Sequence, residues 1–208
     1  KSLGYDSLAI TDHGAMYGVV DFYKEAKAQG IHPVIGCEVY VAPRTRFDKV
    51  HELDSKYSHL ILLCENQTGY KNLIKIVSAG FIDGFYYKPR VDFDILKQCS
   101  EGLIVLSACI AGEVPKNILA GNYEKAKETA QKYIDVFGKD NYFIEIQDHG
   151  LAEQKRSNPE LIKLAKELGV GVVATNDVHY VNKEDAYAQD VLMCIQMERT
   201  IDDPDRMK

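Results

Sequence analysis

The sequence predicts an α/β fold with a largely parallel sheet, wound as a small or distorted barrel. Three observations carry this. Short apolar runs alternate with amphipathic segments of helical period along the chain. The runs are nearly continuous in Ile, Val, Leu and Tyr, as strands covered on both faces tend to be. The 208 residues fall somewhat short of the roughly 250 that a regular eight-unit barrel takes. Neither a dinucleotide fingerprint nor a P-loop occurs.

The elements follow in order. Strands are expected at Ser7–Thr11, Val34–Val41, His59–Cys64, Leu103–Ser107, Tyr142–Ile146 and Val170–Thr175. A helix over Met16–Gln29 turns Val19, Phe22, Tyr23 and Ala26 to one side. A second, Tyr123–Phe137, does the same with Ala126, Ala130, Tyr133, Ile134 and Phe137, between an Asn122 cap and a Gly138 stop. A third is expected over Asn158–Gly169, with Asn158 capping and Pro159 in the first turn. The polar segment Pro43–Ser58 reads as a hairpin loop or insertion between two strands.

Composition narrows the function classes. Apolar content of 46% and charged content of 27% are globular values. No apolar run approaches the roughly 20 residues of a membrane helix, and no signal peptide is evident. The net charge of −6 argues against a general nucleic-acid-binding surface, because phosphate backbones demand local positive charge. Bound metal ions can supply that charge instead. The five cysteines, 37, 64, 99, 109 and 194, form no CxxC pair. A disulfide framework is not expected, and a reducing cytoplasm is. Lys1 opens the chain without Met, and "IDDPDRMK" stops without a closing element. A piece of a longer protein is the expectation.

Functional residues of parallel α/β folds gather beyond the C-terminal ends of strands. Asp12 and His13 follow the first strand. Glu38 interrupts "VIGCEVYVA", facing opposite to Cys37 and Val39. His59 opens "SHLILLC" and approaches Glu38 if Pro43–Ser58 closes an antiparallel hairpin. Cys109 follows "GLIVLSA". Asp148 and His149 follow "YFIEIQ", which contains Glu145. Asp177 and His179 lie two apart in "NDVH". Each alone has an ordinary reading: a helix cap, an edge-strand acid, a half-buried histidine, a small buried thiol or a self-bonded turn. Their common placement at one rim makes a metal-binding set, with ligand types suited to Zn, Mn or Fe rather than Ca. More than four ligands point to more than one ion, the arrangement used for phosphoester hydrolysis. The stretch "GFYYKPRVDFD" sets Tyr86 and Tyr87 beside Lys88 and Arg90. It reads either as a phosphate or single-strand contact or as a packed loop with Arg90 paired to a carboxylate.

At "LAITDHGAMYGVVDFYKEAKAQGIHPVIGCEVYVAP", "SHLILLCENQTGYKNLIKIVSAG", "GFYYKPRVD", "SACIAGEVP", "EIQDHG" and "ATNDVHYV" the chain closely resembles the PHP (polymerase and histidinol phosphatase) domain at the start of bacterial replicative DNA polymerase III alpha subunits. The resemblance covers the whole chain, 1–208, read as one domain. It implies a distorted barrel of about seven β/α units, here without its first strand, and a trinuclear site. Its implied ligands are His13, Glu38, His59, Cys109, Asp177 and His179, for up to three divalent ions, Zn or Mn. His13, Asp177 and His179 would also be catalytic. Asp12 would orient His13, and Lys88, Arg90 or His149 would contact phosphate. The family's opening motif, two histidines one residue apart with an Asp shortly after, is not in this sequence; the resemblance implies that the strand carrying it would precede Lys1.

The implied activity is metal-dependent phosphoesterase or 3′–5′ exonuclease chemistry inside a DNA polymerase of the bacterial cytoplasm. The implied partners are DNA, the other polymerase domains, and proofreading and clamp subunits. Two alternatives stand beside it: a catalytically silent domain that braces the polymerase or docks a proofreading subunit, and a free-standing histidinol-phosphatase-like enzyme.

Overall fold

The computed structural model describes residues 1–204 and 206. Its first elements are β1 (Ser7–Ile10), α1 (Val19–Ala28), β2 (His32–Val41), α2 (His51–Asp54), β3 (Ser58–Cys64) and α3 (Gln67–Ile82). Then come β4 (Phe85–Tyr86), β5 (Lys88–Val91), α4 (Phe93–Gln98), β6 (Leu103–Leu106), α5 (Glu113–Leu119) and α6 (Tyr123–Phe137). β7 (Tyr142–Ile146), α7 (Ala152–Leu168), β8 (Gly171–Ala174) and α8 (Ala186–Gln196) complete them. The chain forms two compact units, 1–175 and 176–208. Within the second, Arg206 clamps Asp190 of α8 with two hydrogen bonds of 2.9 and 2.8 Å.

The first unit is an α/β fold around a curled half-barrel sheet. The strand order is β4-β5-β2-β3-β6-β7-β8, with β1 pairing on β2. The ten-residue β2 organises it. Its first four residues run parallel to β1, Ser7↔His32 through Ile10↔Ile35. Its last six run antiparallel to β3, Gly36↔Leu63 through Val41↔Ser58. β3 is also antiparallel to β6, whereas the β6–β7 and β7–β8 pairs are parallel. The sheet is therefore mixed where a largely parallel one was expected. Pro43–Ser58 contains only the one-turn α2, too little for a crossover that would bring β3 back parallel.

Side-chain alternation splits the sheet into two faces. Cys37, Val39, Val41, Leu60, Leu62, Leu103, Val105 and Ile144 join the main core with Leu73 and Ile76 of α3, Ala126, Ala130 and Tyr133 of α6, and Leu161 and Leu164 of α7. The other face carries a smaller apolar cluster, Ile61, Leu106 and Ala108. It also carries the polar residues considered below.

Three local expectations change. α6 has the expected bounds, but Asn122 makes no side-chain cap bond; Gly138, at φ +87°, ends the helix. α7 begins six residues before Asn158, and Pro159 lies inside it. Buried Gln154 and Ser157 anchor that early turn, so packing offsets the one hydrogen bond that proline removes. Asn158 donates its side-chain amide to the Gln147 carbonyl at 2.9 Å instead of capping. The segment that reads either as a phosphate or single-strand contact or as a packed loop folds as β4 and β5, with β5 pairing at Tyr40↔Arg90 and Val41↔Val91.

Candidate metal centre

The centre is built by register. Glu38 pairs with Ile61 and Tyr40 pairs with His59, so Glu38 and His59 are diagonal neighbours on one face, within reach of long side chains. The antiparallel hairpin is what brings them together. On the other side of Glu38, the β1 segment continues past its last ladder pair into a bridge between His13 and Glu38. Glu38 donates its amide to the Asp12 carbonyl at 3.1 Å, and Gly14 donates to the Glu38 carbonyl at 2.8 Å. Gly14 has φ +64°, and a Cβ there would stand 2.8 Å from the Tyr40 ring. Only glycine turns the chain so tightly here, and the turn aims His13 at Glu38.

Glu38 is only 4% exposed. His13 Nδ1 lies 3.1 Å from one of its oxygens and His59 Nδ1 lies 2.5 Å from the other. Aromatic rings hold both imidazoles. His13 stacks on Tyr40 with centroids 6.2 Å apart, and Tyr57 stacks on His59 at 6.0 Å. Burial pushes the Glu38 pKa up, but hydrogen bonds from His13 and His59 outweigh it and hold the carboxyl at about 2. Cys37, one residue away, points into the core. Burial, helped by the Asp12 and Glu38 charges, pushes its pKa up to about 12. It stays a thiol, donating to the Asp12 carbonyl at 3.3 Å, and is no ligand. Cys109 sits beside the cluster, its Sγ 3.9 Å from His59 Nδ1. It follows Ala108, whose φ of +65° marks a strained turn out of β6.

One potential ligand atom each from His13, Glu38 and His59 lie within 4.8 Å of one another. Ligands about 2.1 Å from a shared ion stand roughly 3–4 Å apart, so the three fit a divalent cation with little adjustment. Two imidazole nitrogens and a carboxylate are donors that Zn or Mn accepts.

The same hydrogen bonds make stability depend on acid. The folded Glu38 carboxyl is depressed from 4.5 to about 2. It therefore contributes stability that is present above pH 4.5 and lost as pH falls through 2. Acid melts of metal-free wild type and Glu38→Gln should differ by a few kcal/mol near neutrality and converge below about pH 2.

The remaining expected residues fall as follows. Asp177 and His179 belong to the second unit, where they pair with each other: His179 Nδ1 is 2.7 Å from the Asp177 carbonyl and 3.8 Å from its carboxylate. Asp177 has φ +46°, a strained backbone of the kind found at functional sites. Asp12 is tied in through its carbonyl. Lys88 places its ammonium 5.6 Å from the centre of the Tyr40 ring, one ring away from His13. His149 lies at a turn, exposed, with Nδ1 3.1 Å from the Gln154 amide. Arg90 departs from the expected phosphate contact. It is fully buried and spends its guanidinium on the carbonyls of Gly84, Asp54 and Asp48 at 3.2, 2.9 and 2.8 Å.

Two groups lie outside the ligand set that the resemblance implies. Tyr40 and Tyr57 frame the imidazoles. Glu145, 4% exposed, lies on the same face as Glu38 through the paired row Ile61–Leu106–Phe143. Its carboxylate is bonded by Gln147, at 3.1 Å, and by Thr175. The signal was a lone acid in "YFIEIQ", the same pattern that revealed Glu38.

Comparison with known proteins adds the family. The PHP domain profile matches residues 1–149. The chain is 53% identical over its whole length to the DNA polymerase III subunit alpha of Treponema pallidum, of which it covers 18%. It is 48% identical, over 97% of its length, to that of Thermus aquaticus, of which it covers 17%. It thus spans less than a fifth of the curated relatives it matches. In structure it is similar to a protein described as a metal-dependent phosphoesterase from Bifidobacterium adolescentis, with a TM-score of 0.51 and 12% identity over 86% of this chain and 79% of that one. At that identity the likeness concerns the fold. The hairpin register, the His13–Glu38–His59 cluster and the profile over most of the chain agree: this chain belongs to the PHP domain family.

Proposed function

We propose that this domain is a metal-dependent phosphoesterase module within the alpha subunit of a bacterial replicative DNA polymerase, acting on DNA 3′ ends as a 3′–5′ exonuclease. The observation that carries the reading is the preorganised His13–Glu38–His59 cluster, in a chain so similar to the DNA polymerase III alpha subunits. His13, Glu38 and His59 would hold one divalent ion, with Cys109 beside them, and Asp177 and His179 would complete the ligand set for up to three. Zn and Mn fit the donors best. When bound, such ions neutralise phosphate oxygens and lower the pKa of water.

The chain's own residues then divide the work. Glu38 fixes both imidazoles from below, and Tyr40 and Tyr57 keep their planes. Asp12 orients His13. Lys88, with its ammonium beside Tyr40, meets a phosphate arriving at the His13 side, and His149 stands ready at the rim. The parent chain would work in the cytoplasm with DNA, the other polymerase domains, and proofreading and clamp subunits as partners.

The test is nuclease rate on a 3′-terminated DNA strand, using the full-length protein with its polymerase site inactivated. His13→Ala and Asp177→Ala should each lower the rate by more than the roughly 10–100-fold that loss of a residue merely supporting a ligand costs. A variant that keeps the wild-type rate would leave the domain a structural brace.

A further inference from the structure

A second cleft opens on the helix side of the sheet, beyond the ends of β2 and β3. Its volume is about 490 Å³, within the range of small-ligand sites. Val41 lines it, and Val41 faces opposite to Glu38 along β2. The cleft is therefore separate from the metal centre, although Tyr57 borders both.

Its charge is unusual for a chain of net charge −6. Lys56, Lys116 and Lys132 all line it. Among the described residues, none of the three ammonium groups has a carboxylate within 4.0 Å. Arg44 also lines the wall but is committed to Asp54, at 2.9 and 2.5 Å. The acid there, Glu113, accepts a hydrogen bond from Tyr133 at 3.3 Å.

Two of the lysines, Lys116 and Lys132, are held in place rather than waving in solvent. Lys116 Nζ donates to the Tyr57 carbonyl at 2.6 Å and to the Ser58 hydroxyl at 3.3 Å. Lys132 Nζ rests 3.8 Å from the centre of the Phe93 ring. Burial lowers the pKa of Lys116 against the opposing pull of Cys109 and Glu113, and the nearby Lys56 charge works in the same direction as burial. Three lysines outnumber the one acid that lines the cleft, Glu113, and this excess of like charge costs free energy that a bound anion would recover. The Tyr57 and Phe93 rings line the cleft, the first stacked on His59 and the second under the Lys132 ammonium, and both add apolar surface for a planar ligand.

We propose that this cleft binds a nucleoside monophosphate, its phosphate among Lys56, Lys116 and Lys132 and its base against Phe93 or Tyr57. The inference stands on the cleft alone and does not require the metal centre to be active.

Lysine-specific chemical footprinting of the full-length protein, read by mass spectrometry, tests it residue by residue. With millimolar dAMP, modification of Lys56 and Lys132 should fall severalfold. Deoxyadenosine and inorganic phosphate at the same concentration should each protect them less. Lys132→Ala, an exposed change, should weaken dAMP protection of Lys56 roughly tenfold, about 1.4 kcal/mol, and leave the metal content of the His13–Glu38–His59 centre unchanged. Unchanged modification in dAMP would overturn the proposal. Equal protection by inorganic phosphate would overturn it too, leaving an anion site with no nucleoside preference. A metal-depleted sample that still shows dAMP protection would separate this site from the phosphoesterase reading.

Discussion

Replacing Glu38 with Gln should empty the His13–Glu38–His59 centre while preserving the fold. Glu is nearly isosteric with Gln, so the β2 register and the Ile61 pairing stay intact. What disappears is the negative charge that sits between two imidazoles, 3.1 and 2.5 Å from their Nδ1 atoms. A group that merely supports a ligand costs 10–100-fold in metal affinity when removed; a central carboxylate ligand should cost more than about 100-fold. Metal analysis of the purified protein after equilibration with Zn or Mn reads this directly. Circular dichroism should show an unchanged spectrum. If the Glu38→Gln protein retains wild-type metal content and affinity, Glu38 is a buried acid stabilised by histidines and no ligand.

Arg90→Met carries the largest expected effect on stability. The guanidinium is fully buried, and it donates to three main-chain carbonyls at one junction: Gly84, Asp54 and Asp48. Two of these lie in the 43–58 segment that leads into β3. Methionine fills most of the volume but offers no side-chain donor, leaving the Asp54 and Asp48 carbonyls without theirs, while Gly84 keeps only the main-chain N–H of residue 90. Breaking such a buried arrangement costs about 3–5 kcal/mol, or about 10 °C or more in melting temperature for a domain of this size. The loss should be felt at His59, because the segment that Arg90 pins delivers the chain to Ser58. Thermal unfolding checks the magnitude. A variant that melts like wild type but loses nuclease rate would mean that Arg90 meets phosphate after all.

The comparison of Arg90 and Glu38 shows what a sequence discloses here. Glu38 was legible because an acid inside an apolar strand has a defined facing, and period two separates it from Cys37. His59 became legible once Pro43–Ser58 was read as a hairpin, since antiparallel pairing places its first residues by the exit of β2. The bounds of α6 and the six main strands followed from periodicity. Arg90 was not legible. Its role depends on carbonyls 6, 36 and 42 positions away, and no local pattern encodes them. Pro159 misled for a related reason: buried Gln154 and Ser157 extend α7 through a residue that usually opens a helix. The antiparallel turn of β3 within an otherwise β/α chain follows from the hairpin, although the β/α alternation alone points to a parallel sheet. The lysines around Phe93 lie on β3, α5 and α6 or their edges, too far apart in sequence to be seen as one cluster.

The measurement that bears most directly on the centre is anomalous diffraction at a metal edge from crystals of the full-length protein equilibrated with Zn or Mn. The expected result is an anomalous peak bonded by His13, Glu38 and His59, at the roughly 2.0–2.2 Å of such bonds. Absence of a peak there at saturating metal, with Glu38 still bridging the two imidazoles, would contradict it.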